Sequence, residues 1–417
     1  MNQSESRTIR YAVAGLCGLL LLTFIGWLVL REPPPSSDQQ QPAKVVTAAP
    51  HARHVAPQFM PDDDAQRETV TNQVAEPATT NANAAAIYQQ AFAIYDALSK
   101  EQKDLIGNWR TNVDSSVAAE LCEKIQPICD LMHQAAAISN CDWGVEQPIT
   151  STTRLPHLSP CRNLGRAAIW SVAHCRTGNP AAAIDDLVAA SRVGQNVSSS
   201  APIGYWVDLA IQGMVIDSVA EHASRLAGAG DTRLVELFSD ANYDEGLRHA
   251  IEQETDIAAC EADRLATEPP EKVAHVLEEL GSFADGTPRF QSLEPAEAIA
   301  DLRQAIELQR QFAKAQALPE ADYREWLASL EAIRKTNPFA DLLLSPMEIE
   351  VNRTKAMTVR SAMAAAGLAV MQNGTDALQS HPDPATGQPF AYTQTADGFE
   401  LESGFQFQEK PVKLSFK

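Results

Sequence analysis

The sequence predicts a mainly α-helical protein. Its parts are an N-terminal transmembrane helix, a disordered linker, an antiparallel helical-hairpin domain with one repeat-like pair, and a small C-terminal β-hairpin module. Three observations predict this. Residues 11–30 form an uncharged apolar run, YAVAGLCGLLLLTFIGWLVL. From Ala82 onward, apolar residues recur at three- and four-residue steps, with Pro and Gly at segment ends. After Asn373-Gly374 the texture changes to alternation and turn dipeptides. The implied segments are 1–10 (cytoplasmic tail), 11–30 (signal-anchor), 31–81 (linker), 82–374 (helical domain) and 375–417 (β module).

At a rise of about 1.5 Å per residue, the apolar run reaches roughly 30 Å, the hydrocarbon thickness of a bilayer. A cleavable signal has a shorter core and an A-x-A-like site. Here REPPPSSD follows directly, which favours an uncleaved anchor. Cys17 reads as an apolar membrane-facing side chain. Lipidation would need the apolar region before it, and Leu16 stands where a small residue is required. Arg7 and Arg10 precede the run, whereas Arg31 is followed by Glu32. That bias puts the amino terminus in the cytoplasm. The expectation is a single-pass inner-membrane protein with its bulk in the periplasm or another extracytoplasmic space.

Residues 31–81 hold PPP, QQQ and DDD runs without apolar periodicity, the composition of a disordered tether. Flexible coil of that length reaches about 40 Å. The net charge of −21 argues against nucleic acid as a partner and against an anionic lipid surface. The expected partners are the membrane, through the anchor, and other envelope proteins.

Within the domain, helices are expected around 87–98, 116–138, 164–177, 180–193, 203–226, 245–266, 270–280, 295–317, 319–333 and 346–371. Several open with Pro in the first turn, where the missing N–H costs nothing. In LGRAAIWSVAHCRTGNPAAAIDDLVAAS, Gly178 separates two helices, and Ala183, Leu187 and Ala190 line the second. That half resembles the second helix of a tetratricopeptide repeat. The first half departs from it, with Ser171 and Ala167 at its glycine and tryptophan positions. No second copy follows, so one repeat-like pair is expected rather than an array.

Six cysteines lie beyond the apolar run: Cys122, Cys129, Cys141, Cys161, Cys175 and Cys260. An even count outside the membrane suggests disulfides, among fifteen possible pairings. Cys141–Cys161 is the first expectation, because it would staple a Pro- and Thr-rich loop for about 3 kcal/mol. Cys122 and Cys129 stand two helical turns apart, too far to bridge unless Pro127 breaks the helix. The competing reading is six buried free thiols.

At the C-terminus, 389–392 and 399–402 read as two strands around a turn at Asp397-Gly398, and Phe405, Phe407, Val412, Leu414 and Phe416 could add more strand. An Ala-rich helix followed by D-P-x-T-G-x-P-F-x-Y and D-G-F-x-L-x-S resembles the C-terminal region of uncharacterised bacterial membrane-anchored envelope proteins. It is also similar to the C-terminal end of secretion pseudopilins. The matching residues are Asp383, Pro384, Thr386, Gly387, Pro389, Phe390, Tyr392, Asp397, Gly398, Phe399, Leu401 and Ser403, and the resemblance extends to a C-D-W-G turn at 141–144. It implies an envelope location and no particular activity. The apolar run lacks the cleavage motif and early glutamate of pilins, which argues against filament assembly.

No G-x-S-x-G, Walker loop, G-x-G-x-x-G or H-E-x-x-H is present. His133, Cys141, His157, Cys161, His174 and Cys175 share one stretch, but their spacings match no closed zinc site. No cofactor or metal is expected. Asp185-Asp186, Asp244-Glu245, Glu252 with Glu254 and Asp256, and Glu278-Glu279 read as solvated helix faces. Asp383 and Asp397 read as turn formers. Trp143, Trp170, Tyr205 and Trp206 could line a groove for a partner peptide, or pack between helices. The expected function is therefore a non-catalytic interaction or scaffold protein. The alternative is an envelope hydrolase acting on a wall or glycan substrate through helix-borne carboxylates.

Overall fold

The computed structural model describes residues 82–150, 153–283, 290, 292–316 and 318–417. The expected anchor and linker lie outside these residues. Among the described residues, no helix is long and apolar enough to cross a membrane. The chain is mainly helical and ends in a small antiparallel sheet.

The helices are α1 (Ala84–Asp96), α2 (Lys100–Gly107), α3 (Ser115–Ala136), α4 (Leu158–His174), α5 (Pro180–Ser198), α6 (Pro202–Glu221), α7 (Ala223–Ala227), α8 (Arg233–Ser239), α9 (Tyr243–Ala266), α10 (Pro270–Phe283), α11 (Pro295–Ala315), α12 (Glu320–Thr336) and α13 (Pro338–Asn373). A 3₁₀ turn, Thr375–Ser380, follows. Polar caps set many of the starts. Asn83, Asp114, Asn179, Asn242 and Asn337 each accept from a first-turn amide. Pro180 and Pro338 occupy the first helical position after two of these caps.

Two expected helices have other bounds, and α2 and α8 were not expected. Residues 203–226 form two helices, because the backbone breaks at His222. α3 matches the helix expected at 116–138 and runs unbroken through Pro127. α13 begins at Pro338, well before Pro346, which sits inside it. Its 36 residues make a spine of about 54 Å at the usual rise.

α4, α5 and α6 pack in sequence, with α3 against α4 and α5. Ala183, Leu187 and Ala190 of the repeat-like pair are wholly buried. In the second half, α11 packs against both α9 and α13. The strands β1 (Ala391–Gln394), β2 (Phe399–Phe407) and β3 (Lys410–Phe416) form an antiparallel meander in chain order. Phe399 pairs with Gln394 on one side and Phe416 on the other. Phe399, Leu401 and Ser403 alternate inward along β2. The sheet shares the helices' core. Phe416 lies so close to Gly367 of α13 that a Cβ there would clash with its ring. Lys417 N–H donates to Ala220 O (3.0 Å), tying the end of the sheet to α6.

The disulfide is not the one first expected. Cys122 of α3 bonds Cys175 at the end of α4, across a Cα separation of 5.5 Å, whereas Cys129, Cys141, Cys161 and Cys260 are free thiols. This corrects both the Cys141–Cys161 pairing and the reading of six free thiols. The reason is helix packing: α3 and α4 bring two residues 53 apart into bonding distance. Cys161 instead falls in the first turn of α4 and is buried. Closing so long a loop is expected to stabilise by about 4 kcal/mol in the chain-entropy model. Non-reducing peptide mapping should recover one crosslinked pair carrying Cys122 and Cys175, and Cys122→Ser should lower the denaturation midpoint of oxidised protein.

Candidate functional site

The four expected groove aromatics do not share one lining. Trp143 is half-buried; its ring stacks on His157 at 4.6 Å and its Nε1 donates to Asn196 O at 2.9 Å. Trp170 is wholly buried in α4 against His174. Only Tyr205 and Trp206 touch, edge to face at 4.8 Å, and both are buried. The Tyr205 hydroxyl donates to Tyr243 O (3.0 Å) and lies 2.9 Å from Thr354 Oγ1, pinning α6 to α9 and α13. These rings bind the helices to one another.

The C-D-W-G turn has a structural cause. Asp142 Oδ1 accepts from Gly144 N at 2.8 Å, and Gly144 has φ +66°, a conformation that favours glycine. Asn83 clamps the same turn through both the N–H and the carbonyl of Asp142.

Asp186 corrects the solvated-face reading. Its neighbour Asp185 is half-exposed and pairs with Arg233, but Asp186 is 1% exposed. Its carboxylate accepts from Ser171 Oγ (2.7 Å) and Arg176 Nε (3.0 Å) and lies 2.9 Å from His133 Nε2. Burial pulls the Asp186 pKa up, but bonds from His133, Arg176 and Ser171 outweigh it and hold the group below its ordinary value. His133 is raised in turn, chiefly by its bond to Asp186. Serine, histidine and aspartate meet here in the wrong order for hydrolysis. Ser171 donates to the aspartate, so no base stands against the hydroxyl.

A second Ser–His contact fails on the same ground. His157 Nε2 lies 3.0 Å from Ser200 Oγ, but that hydroxyl donates to Val197 O at 2.7 Å. The histidine is therefore the donor and not a base. Burial pushes its pKa down to about 4.

Three carboxyl groups have few partners: Asp208 and Glu350 are buried and were not singled out from the sequence, and Glu254, read there as part of a solvated face, is half-buried. Asp208 of α6 accepts from Gln212 Nε2 at 2.8 Å, and burial raises it to about 7. Glu254 of α9 and Glu350 of α13 each rise to about 7, first through burial; the charge of Glu350 adds to the effect on Glu254. Arg353 Nη1 donates to Glu350 Oε1 at 2.6 Å, while Oε2 has no partner. Each folded pKa lies above its unfolded value, so each group favours folding at low pH and loses that contribution as pH rises toward 7. His157 and His222, both lowered to about 4, act with the opposite sign over much of that range. The discriminating comparison is therefore between variants. Glu254→Gln should be more stable than wild type at pH 8, by on the order of 1–3 kcal/mol, and near neutral at pH 5, read from denaturant melts.

Of the histidines and cysteines weighed for zinc, Cys141 and Cys161 are free thiols and the others have partners. His133 faces Asp186, His174 Nε2 lies 2.9 Å from Trp109 O, and Cys175 is in the disulfide. Among the described residues no group of three or more His, Cys, Asp and Glu gathers to hold a metal.

Among the described residues, three large apolar side chains are exposed, one of them Val117 of α3 at 42%. Ile349 of α13 is 51% exposed, and Leu318, just before α12, is 43% exposed. Trp326 and Leu327 of α12 and Leu342 and Leu343 of α13 are half-buried and pack against the core. Arg334 holds the two helices together through Asp341 (3.3 Å) and Glu348 (2.6 Å). Compared with known proteins, the chain matches no family model, no curated protein and no solved structure.

Proposed function

We propose that this is a non-catalytic, membrane-anchored envelope protein whose helical domain binds other envelope proteins through the α12–α13 hairpin. One observation carries the reading: Leu318 and Ile349 are exposed on or beside one hairpin, together with half-buried Trp326, Leu327, Leu342 and Leu343. Exposed apolar side chains grouped on one element mark interaction surfaces. The net charge of −21 favours a partner with a basic rim. The anchor at 11–30, the linker at 31–81 and an extracytoplasmic domain belong to the same proposal, as does kinship with envelope proteins carrying the D-P-x-T-G-x-P-F-x-Y tail.

A photo-crosslinking residue at Ile349 in intact cells tests it. Discrete adducts are expected, absent when the probe is moved to exposed Asp322 and reduced several-fold by Leu318→Lys. Adducts from neither position would overturn the reading.

The hydrolase alternative has its own support in the raised Glu254 and Glu350 carboxyls. Release of soluble fragments from cell-wall polymer by the full chain, abolished in Glu350→Gln, would favour it. No release from that polymer counts against it.

A further inference from the structure

We propose that the end of α4 and the α6–α7 break together bind a small oxyanion, held by the N–H groups of Trp170 and Arg225 and the hydroxyl of Ser218, beside His222. Trp170 Nε1, Ser218 Oγ, His222 Nε2 and Arg225 Nε are all buried and have no hydrogen-bond partner. Trp170 and Ser218 are wholly buried. Contacts link these residues into one region. The His174 ring lies tilted 4.5 Å from that of Trp170 and its Nε2 is 2.9 Å from Trp109 O, and the Trp109 ring lies 6.4 Å from that of His222. Arg225 Nη2 donates to Val172 O of α4 at 2.9 Å. Ile211, Ser218 and His222 follow one another at helical spacing, and Ile211 packs on Gly165 of α4. That face of α6 is therefore turned toward α4.

Donors dominate the set. The indole and guanidinium groups can only donate, and the hydroxyl can. Burial, then the charge of Arg225, keep His222 neutral near pH 7. The carboxylates nearby are engaged: Asp217 by Arg110 (3.2 Å) and Arg360, Glu221 by Lys417 Nζ (2.8 Å). Lys417 O is taken by Ser224 N at 3.0 Å. Among the described residues, no carboxylate pairs with Arg225. A buried water could accept from two of the donors, but it would offer no charge to the half-buried Arg225 guanidinium. An oxyanion meets both needs through charge-assisted hydrogen bonds. Acetate and inorganic phosphate are the small oxyanions used to probe it.

The test uses the full chain in detergent, titrated with sodium acetate or sodium phosphate against sodium chloride at matched ionic strength. Thermal unfolding and tryptophan fluorescence are the readouts. A saturable rise in unfolding temperature with one anion is expected, and the anion that works separates a carboxylate from a phosphate ligand. Arg225→Gln should weaken the apparent affinity about ten-fold or more, the loss of one charge-assisted contact. Ser218→Ala, which preserves packing, should weaken it less. No saturable effect of either anion on wild type would overturn the proposal. So would equal responses in wild type and Ser218→Ala, or a crystal grown in the active anion with only an ordered water on Trp170 Nε1.

Discussion

Asp186→Ala is expected to destabilise the fold by about 3–5 kcal/mol, the range for leaving buried charged partners unpaired. Three elements depend on this carboxylate. It receives Ser171 of α4, Arg176 from the turn after α4, and lies against His133 of α3. Removing it strands a guanidinium that is only 16% exposed and takes the acceptor from a buried serine hydroxyl. Asp186→Asn should cost less, because the amide oxygen can still accept from Arg176. Both variants should also lose part of the pH dependence of stability. The folded carboxylate lies below its ordinary pKa, so its contribution is present above the unfolded value and lost as pH falls through the folded one. Denaturant melts at pH 3, 5 and 7 check this. A wild-type-like midpoint at pH 7 in Asp186→Ala would refute the assignment.

Asp383→Ala is expected to cost about 2–4 kcal/mol and to loosen the sheet locally. Asp383 is 1% exposed and organises the D-P-x-T-G segment around itself. Oδ1 accepts from Ala385 N at 3.0 Å. Oδ2 accepts from Thr386 Oγ1 (3.2 Å), Ser403 Oγ (2.8 Å) and Gly404 N (3.1 Å). The last two lie where β2 loses register with β3, between Glu402 and Gln406. The carboxylate therefore satisfies an amide that the irregular ladder leaves free. Hydrogen exchange should accelerate in β2 and β3 well before the α4–α5 hairpin responds. Uniform acceleration across the helices would show that the sheet is not the unit Asp383 holds.

Much of the architecture was legible because its signals are local. Caps such as Asn179 before Pro180, and the alternation of Phe399, Leu401 and Ser403, act over a few residues. α2 was missed although its signal is local too: Ser99 and Gln102 form a capping box ahead of a charged helix with a single buried residue, Ile106. The start of α13 was missed because Pro346 reads as an opening proline, whereas Asn337 and Pro338 supply the true cap and first turn. The break at His222 carries no proline or glycine to announce it.

The candidate sites were far less legible. Asp185 and Asp186 are adjacent and chemically identical, yet one faces Arg233 near solvent and the other the core. A faint clue existed, since Asp186 lies beside Leu187 on the stripe of Ala183 and Ala190. Glu254 and Glu350 stand on different helices, and nothing near either in sequence tells that their charges interact.

By itself, the sequence determined the mainly helical domain with its small terminal sheet, the turn at Asp142–Gly144 and the role of Asp383 as a turn former. Each depends on backbone preferences and hydrogen bonds within a few residues. Only the tertiary structure decided that Cys122 joins Cys175, that Trp170 and Tyr205 are core residues, that Asp186, Asp208 and Glu350 are buried, and that Glu254 lies near Glu350. Burial, pairing and pKa depend on which distant segments pack together. A single residue's identity does not carry that information.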